Sequence, residues 1–412
     1  MTRFTQSNLG PSLRTHFSAL ATLVIAAIAT STAVADDLQS ELIFPKQGKH
    51  VHSSSIVELP GGDFLACWFY GSGERSANDV KIQGDRLGKG EREWSPVFEM
   101  ADTPNLPDCN PVLFVDGQER LWMYWIVPLA NRWEHSVLKY RRAEDYTGEG
   151  PPKWSWQDVI NLVPDESFAK SMEAGFEELQ SSEGMWAEYA PPYARMLIEA
   201  SRDPIKRQTG WMTRTHPIML PSGRILVPLY SDGFNAGLMA ISDDEGETWI
   251  PSAPIVGLGP IQPSVVRMED GTLVAYLRDS GDPPGRVMRS TSDDDGETWS
   301  VALDTEILNP GSSLEAIALE DGRWVMVYND SEVNRGNLAI ACSDDEGRTW
   351  KWKRYLEDGS EQGESYGYPS VIQASDGNLH VTYTFDTPEG KAIKHVTLSP
   401  DWITAGSPDN EN

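Results

Sequence analysis

Cysteine is scarce in this sequence, and basic residues are outnumbered by acidic ones. The three cysteines among 412 residues, Cys67, Cys109 and Cys342, have no metal-ligand spacing. We therefore expect buried structural cysteines rather than a disulfide-rich fold or cysteine chemistry. Lys and Arg number 34 against 62 Asp and Glu, giving a formal net charge of -28. Such a charge argues against binding to nucleic acid or to anionic membrane surfaces.

Long apolar runs are absent beyond the N-terminal segment. That segment contains Arg3 and Arg14, an apolar run at 20–29, and then Ala33-Val34-Ala35, a small-x-small pattern that signal peptidase cleaves. The sequence therefore predicts a signal peptide at 1–35, cleaved after Ala35, and a secreted or periplasmic protein. No later run reaches the ~20 apolar residues that a membrane-spanning helix needs, so we expect no membrane insertion.

Three nearly identical octapeptides recur in the second half of the chain: SDDEGETW from Ser242, SDDDGETW from Ser292 and SDDEGRTW from Ser343. Their period of about 50 residues is typical of propeller blades. Asp, Gly and Trp at these positions suit a turn, because Asp accepts backbone N–H groups, Gly adopts positive φ and Trp packs into the sheet. The pattern resembles a calcium loop only faintly, since it has no bidentate Glu in register. We expect no metal and no cofactor.

Six strand–turn–strand patterns run in phase with the octapeptides, and each predicts a hairpin within one blade. One interval between turns is double the others, and it contains residues 166–201, which are helical in spacing and poor in β-branched residues. The sequence therefore predicts an all-β, six-bladed β-propeller with a helical insertion at 166–201, within one domain at 36–412. The turn glycines are Gly62, Gly117, Gly223, Gly271, Gly322 and Gly377.

The S-x-D-x-G-x-T-W pattern resembles the Asp-box, or BNR repeat, of the sialidase superfamily. This resemblance implies a propeller whose site lies at the mouth of the central channel, away from the Asp-boxes. It also implies a carbohydrate-active enzyme whose partner is a glycan substrate. Because fold alone does not fix chemistry, the family's site residues have to be matched one at a time.

The first blade carries a partial match to the family site. The family's Arg-Ile-Pro motif corresponds to the stretch that starts at His52, so a histidine replaces the first arginine. The family's acid/base aspartate follows the second strand and an arginine, and the best match is Asp79 in ERSAND. Glu74 and Arg75 belong to the same stretch. The resemblance implies a catalytic role for His52 and Asp79, and substrate binding by Glu74 and Arg75.

The later blades supply the rest of the match. LVAYLRDS and NRGNLAIACS resemble the stretches with the family's other two carboxylate-binding arginines, which implies Arg278 and Arg335. The nucleophilic tyrosine resembles Tyr368 in YGYPSVIQ, with Tyr366 as the second choice. The glutamate that activates this tyrosine is expected at the start of IQPSVV, but Gln262 stands there.

These departures change the chemistry that the family resemblance implies. A sialidase holds its substrate carboxylate with three arginines and uses a Tyr activated by Glu. His52 removes one fixed charge, and Gln262 removes the base. The remaining set suits a uronate-containing glycan better than a sialoside, and the expected substrate class is an acidic glycan that bears sialic or uronic acid. Cleavage would be by a hydrolase with Asp79 or Glu74 as acid, or by a lyase with His52 or Tyr368 exchanging protons.

Several alternatives stay open at this level. A non-catalytic carbohydrate-binding or scaffold propeller would scatter the candidate residues or fill its channel with apolar side chains. A sialidase with a rearranged site would need another carboxylate near Tyr368, such as Glu315 or Glu364. His216 is a substrate-binding candidate if it faces the channel, and Trp133 is either a sugar platform or a core residue. The sugar, the linkage and the oligomeric state are not encoded in any motif.

Overall fold

The computed structural model describes residues 38–182, 190–281 and 283–405. The predicted signal peptide at 1–35 lies outside the described residues. The described chain forms six antiparallel sheets, five with four strands and one with five. Each sheet is one blade of a propeller, so the predicted six-bladed all-β fold is confirmed.

The blades follow each other along the chain, and each runs from the central channel outward. The first strand, β1 (Gln39–Gln47), belongs to the last blade. Blade 1 contains β2 (His50–Glu58), β3 (Phe64–Gly71), β4 (Lys81–Leu87) and β5 (Phe98–Ala101). Blade 2 contains β6 (Cys109–Val115), β7 (Leu121–Pro128), β8 (Ser136–Ala143) and β9 (Trp156–Ile160). Blade 3 contains β10 (Met212–Thr213), β11 (Ile218–Met219), β12 (Ile225–Ser231), β13 (Ala236–Ser242) and β14 (Ile250–Pro251).

The remaining blades have the same plan. Blade 4 contains β15 (Pro260–Arg267), β16 (Leu273–Asp279), β17 (Arg286–Ser292) and β18 (Leu303–Leu308). Blade 5 contains β19 (Glu315–Ala318), β20 (Trp324–Tyr328), β21 (Asn337–Ser343) and β22 (Trp352–Asp358). Blade 6 contains β23 (Ser365–Gln373), β24 (Leu379–Thr387) and β25 (Gly390–Leu398), and β1 is its outermost strand. Because β1 pairs with β25, the two ends of the propeller chain are joined in one sheet and the ring is closed.

α-Helices occur at two places in the described chain. Between β9 and β10 lie α1 (Glu166–Ser182), α2 (Ala190–Ser201) and α3 (Pro204–Gln208). They confirm the predicted helical insertion and extend it by one short helix, and residues 183–189 lie outside the described part of the chain. After β25 comes α4 (Pro400–Thr404). Within the residues that the structure describes, none of these helices has the length and apolar character to cross a bilayer.

The Asp-boxes join the third and fourth strands of blades 3, 4 and 5. In the first of them, Asp244 accepts hydrogen bonds from Ser242 Oγ (2.9 Å) and from the backbone N–H of Thr248 (2.8 Å). Gly246 has a φ of 84° and donates its N–H to Ser242 Oγ at 2.8 Å. Asp294 and Asp345 make the same bonds in the next two boxes. The octapeptides are therefore structural turns.

The innermost strands of four blades carry the same irregularity. Ser53, Asn110, Gln262 and Tyr368 have φ values of 59°, 50°, 55° and 57°, and each lies where the register with the neighbouring strand shifts. Non-glycine residues rarely adopt positive φ, and bulges of this kind change the direction of a side chain. The last three of these residues precede a proline. The bulges turn polar side chains toward one end of the channel.

Serine hydroxyl groups just after three of the bulges connect neighbouring blades. Each serine Oγ accepts the backbone N–H of a residue on the innermost strand of the next blade, at 2.9 to 3.2 Å. These bonds satisfy backbone groups next to the bulges and lock the inner strands into a ring. The donor and acceptor pairs are Leu113 to Ser55, Ala316 to Ser264 and Ile56 to Ser370.

The core lies between the faces of neighbouring blades and is rich in large aromatic side chains. Trp122 and Trp125 are fully buried in blade 2. The thiols of Cys67, Cys109 and Cys342 are free and buried, as expected from their number and spacing. The cysteines thus contribute packing to the core.

The helical insertion is attached to a loop of blade 3. Phe168 of α1 packs edge-on against Phe234, with ring centroids 5.2 Å apart, and Trp211 stacks on the same Phe234 at 5.9 Å. Tyr193 of α2 accepts a hydrogen bond from the Asn235 side chain at 2.7 Å. Phe234 and Asn235 belong to the loop between β12 and β13. The insertion therefore braces this loop.

Candidate functional site

A polar cavity of about 290 Å³ lies at one mouth of the central channel. All six blades contribute to its wall, through the starts of innermost strands and the loops that follow second strands. Strands alternate in direction within a blade, so the Asp-boxes, which follow third strands, lie at the opposite end of the propeller. Six sequence-predicted residues line this cavity: His52, Glu74, Gln262, Arg278, Arg335 and Tyr368.

Tyr368 is surrounded by polar and cationic groups at the cavity wall. Its phenolic oxygen accepts hydrogen bonds from Gln262 Nε2 at 3.2 Å and from Arg278 Nη1 at 3.3 Å. The guanidinium carbons of Arg214 and Arg335 lie 4.8 and 5.7 Å from the centre of its ring. Three arginines therefore concentrate positive charge beside one tyrosine, in a chain whose net charge is strongly negative. Such a cluster favours an anionic ligand.

His52 lies directly against Tyr368. Their ring centres are 4.0 Å apart at an angle of 49°, and Nδ1 of His52 is 2.9 Å from Thr384 Oγ1 on the neighbouring blade. Burial, with a further contribution from the charge of His50, holds the pKa of His52 well below its usual value. The imidazole is therefore neutral near pH 7 and can accept a proton.

Glu74 lies in the loop after β3 and supplies a carboxylate to the cavity. Its Oε1 is 3.1 Å from Nε2 of His50, and this contact with the imidazole lowers the pKa of Glu74 more than burial raises it. The group is therefore ionised at neutral pH.

Asp232 is a second cavity carboxyl group, which the sequence analysis missed. Its side chain is exposed at the cavity mouth, and desolvation by the protein atoms around it raises the pKa of Asp232. The charges of Arg278 and Arg75 act in the opposite direction. Asp232 directly follows β12, and Arg278 is the last residue but one of β16, which has the equivalent place in blade 4. This shared position at the end of a strand is the sequence signal that could have identified Asp232.

Arg214 was also missed by the sequence analysis. It lies between β10 and β11, where the innermost strand of blade 3 is interrupted, and it is only 2% exposed. Its Nη2 donates to the carbonyl oxygen of Pro369 at 2.6 Å, which ties blade 3 to the bulge at Tyr368. Burial lowers the pKa of Arg214, and the charge of Glu315 opposes this shift. The sequence prediction selected the neighbouring His216 instead.

Asp79 and Arg75 lie outside the cavity lining. The Asp79 carboxylate accepts hydrogen bonds from the backbone N–H and the hydroxyl group of Ser72, at 3.0 and 2.5 Å, and from Lys49 Nζ at 2.9 Å. These bonds lower the pKa of Asp79, first through Ser72. Arg75 packs over the ring of Trp133, which does line the cavity, at 5.2 Å. The acid/base role of Asp79 stays a prediction.

His216 and Tyr366 are likewise engaged away from the cavity. His216 lies 3.0 Å from Glu315 through Nδ1 and 2.9 Å from the carbonyl oxygen of Ile56 through Nε2. Burial would lower the pKa of His216, but the charge of Glu315 and its hydrogen bond give a net increase. Tyr366 is buried and donates to Glu364 at 2.5 Å. Neither glutamate lines the cavity next to Tyr368.

The cavity has no metal-binding arrangement among the residues described. Within 38–182, 190–281 and 283–405, no group of three or more His, Cys, Asp or Glu side chains is placed to hold a metal ion. The side chains that line the cavity supply guanidinium, carboxyl, imidazole and phenol groups.

Comparisons with known proteins agree with this architecture. An anhydrosialidase from Macrobdella decora is 28% identical over 182 residues, which are 39% of this chain but only 23% of that protein. The leech intramolecular trans-sialidase has a TM-score of 0.64 at 15% identity, covering 89% of this chain and 71% of its own. A protein of unknown function from Dyadobacter fermentans has a TM-score of 0.63 at 16% identity, covering 88% of this chain and 99% of its own. These structural likenesses establish the fold.

A family model supplies the stronger result. The model of the BNR repeat-like domain matches residues 62–172 and 204–381, which together are well over half of the chain. The gap between the two matched segments falls within the helical insertion. The chain therefore belongs to the BNR repeat-like domain family, within the sialidase superfamily.

Proposed function

We propose that this protein binds an acidic sugar at the mouth of its propeller channel and hydrolyses the glycosidic bond of that sugar. The observation that carries the proposal is the convergence of Arg278, Arg335 and Tyr368 on one polar cavity. The forked donors of arginine match a carboxylate, and the cluster stands against a strongly negative net charge. The anhydrosialidase relative supports sialic acid as one substrate class, and uronic acid is the other.

Arg278 and Arg335 have donor capacity left for a substrate carboxylate. Arg278 uses Nη1 for Tyr368 and Gln262, while its Nε is buried and has no partner. Arg335 donates through Nη2 to the carbonyl oxygen of Gly311. Arg278 is half-buried and lines the cavity, so its guanidinium can be reached by a ligand carboxylate.

The nucleophile arrangement differs from that of a sialidase. A tyrosine nucleophile needs a base to take its proton, and the amide of Gln262, which contacts Tyr368, has no basic group. Hydrolysis by a water molecule therefore suits this cavity better, with the ionised Glu74 as the group that activates the water. Hydrolysis also needs a proton donor for the leaving oxygen.

A lyase is the second candidate, favoured by the contact between His52 and Tyr368. A neutral imidazole and a phenol whose rings lie 4.0 Å apart can exchange protons at C5 of a uronate and at the leaving oxygen. An arginine would offset the charge that develops on the uronate during elimination.

Secretion also belongs to the proposal, through the predicted signal peptide. The leader at 1–35 would direct the protein to the periplasm or the medium, where polysaccharides are accessible. N-terminal sequencing of the protein purified from its native host tests this, and a mature chain that begins at Asp36 is the expected result. An uncleaved leader would contradict it.

Product analysis tests the proposed activity. The wild-type protein is incubated with a panel of sialosides and uronate polysaccharides, and reducing ends and unsaturated products are both measured. Reducing ends without unsaturated products support hydrolysis, whereas both together identify a lyase. If no substrate gives a product but the protein binds the same glycans, the proposed enzyme activity would be wrong and the protein would be a carbohydrate-binding propeller. Tyr368→Phe and Arg278→Lys are the site controls.

A further inference from the structure

The loop between β12 and β13 of blade 3 brings a carboxyl group into the cavity. Asp232 stands at the start of this loop and lines the cavity together with Asn235. Glu74 reaches the same cavity from blade 1, so two carboxyl groups from different blades share one site. Two carboxyl groups flanking a glycosidic bond are the usual machinery of glycoside hydrolysis.

The environments of these two carboxyl groups differ. Desolvation raises the pKa of Asp232, whereas the His50 contact lowers the pKa of Glu74. The charged groups around Asp232 are Arg278 and Arg75, which favour its ionised form, and Glu134, which disfavours it. Two carboxyl groups whose pKa values are shifted in opposite directions suit the roles of acid and base in one reaction.

The family-matched aspartate is placed differently. Asp79 is bonded to Ser72 and Lys49 and is absent from the cavity lining. Its contacts favour the ionised form, which cannot donate a proton to a leaving group. The bonds to a hydroxyl group and an amine also fix this carboxylate in position away from the cavity.

The helical insertion packs against the loop that carries Asp232. Phe234, two residues after Asp232, is enclosed by Phe168 and Trp211, and the Asn235 side chain is bonded to Tyr193. The loop is therefore held by aromatic packing at Phe234 and by a hydrogen bond at Asn235. The insertion therefore braces the loop that carries Asp232.

We propose that Asp232 is the proton donor to the leaving oxygen in this cavity, and that the helical insertion positions it for that role. This assignment rests on the proposed glycan-cleaving function. The carboxyl proton of Asp232 moves to the glycosidic oxygen while the bond from that oxygen to the anomeric carbon breaks, and the electron pair of the bond stays on the oxygen. Water adds its hydroxide to the anomeric carbon, its other proton goes to Glu74, and exchange with solvent restores Asp232.

Dependence on the leaving group tests the assignment. Asp232→Asn is compared with the wild type on an alkyl-linked acidic glycan and on an aryl glycoside whose phenol leaves without protonation. The expected loss in kcat/KM is about 10²–10⁴-fold on the alkyl-linked glycan and less than about 10-fold on the aryl glycoside. The basic limb of the pH–rate profile disappears in the variant.

Two further variants separate catalysis from folding. Asp270→Asn lies in the turn between β15 and β16, at the opposite end of the propeller, and should keep wild-type kinetics. Tyr193→Phe removes the hydroxyl group that holds Asn235, and we expect a smaller loss, about 3–10-fold, with the same leaving-group dependence. Thermal unfolding midpoints near that of the wild type show that each variant is folded.

The outcomes distinguish this assignment from the proposed function. An active wild type with equal losses for Asp232→Asn on both substrates, or with no loss, would overturn the role of Asp232 alone. If Asp79→Asn, rather than Asp232→Asn, loses more activity on the alkyl-linked glycan than on the aryl glycoside, Asp79 would be the proton donor. Inactivity of the wild type on every acidic glycan would overturn the proposed function and this assignment with it.

Discussion

The phenolic oxygen of Tyr368 accepts hydrogen bonds from Gln262 at 3.2 Å and from Arg278 at 3.3 Å. This places an amide where a sialidase would have the carboxylate that activates its tyrosine. The phenol is thus positioned by its neighbours, but the contacting side chain of Gln262 cannot remove its proton. Gln262 is one of two departures from the residues of a sialidase site, and the other is His52, which stands where the family has an arginine.

Gln262→Glu should therefore move the activity toward that of a sialidase. A carboxylate at this position accepts the Tyr368 proton and stays paired with Arg278, so we expect an increase of about 10-fold or more in hydrolysis of an aryl sialoside. Gln262→Leu is the matched control, because it removes the hydrogen bond without adding a base. Equal rates for the Glu and Leu variants would contradict the account.

Asp294→Ala tests the structural role of the Asp-boxes. Asp294 accepts bonds from Ser292 Oγ and from the backbone and hydroxyl groups of Thr298, so its loss should lower the free energy of unfolding by about 1–2 kcal/mol. The activity of the folded variant should be unchanged, since the box lies at the far end of the propeller. Asp293→Ala removes one hydrogen bond from Thr272, so it should lower the free energy of unfolding by less than Asp294→Ala does, as measured by urea titration.

His380 should make the closure of the ring sensitive to acid. Its Nδ1 lies 3.0 Å from Nε2 of His395, which contacts Glu41 of β1, and burial followed by the charge of His395 lowers the pKa of His380 to about 4. The charges of Asp376 and Glu41 oppose this shift. The folded state therefore disfavours protonation of His380, whereas the unfolded chain protonates this histidine below the usual pKa of about 6.5.

Stability from His380 is complete above about pH 6.5 and is lost as the pH falls toward about 4. Urea unfolding at a series of pH values should show a decrease of about 1–3 kcal/mol over this window. His380→Gln should flatten this part of the curve. An unchanged slope in that variant would show that other groups cause the acid sensitivity.

Asp85 should have the opposite dependence on pH. Both of its carboxylate oxygens are buried without a hydrogen-bond partner, and burial, followed by the charge of Glu41, raises its pKa to about 8. The unfolded chain releases this proton at lower pH, so stability is lost as the pH rises from about 4 to about 8. Asp85→Asn should therefore stabilise the protein by about 1–3 kcal/mol near pH 8 and by less near pH 5. Equal effects at both pH values would contradict this.

The fold was accessible from sequence because its signals are local and periodic. The Asp-boxes from Ser242, Ser292 and Ser343 and the six hairpin glycines each report a turn within one blade. Repetition of these turns at one period fixes the number of blades. The helical insertion was also visible, since helical spacing contrasts with the strand patterns around it.

The site was only partly accessible because ring closure assembles it from distant segments. His52, Arg278, Arg335 and Tyr368 were found through motifs at strand ends. Arg214 was missed because the innermost strand of blade 3 is interrupted there, so no strand pattern marks it. Asp232 has the sequence context of an ordinary turn residue, and the charged groups that act on it, such as Arg278 and Arg75, come from other blades.

Recognition of the substrate carboxylate is the central claim, and one measurement tests it most directly. The kcat/KM of the wild type is measured on an acidic glycoside that it cleaves and on the methyl ester of that glycoside, and the comparison is repeated with Arg278→Lys. We predict a preference of about 10²-fold or more for the free carboxylate, reduced by about 10-fold or more in the variant. Equal cleavage of the acid and its ester by the wild type would contradict the account.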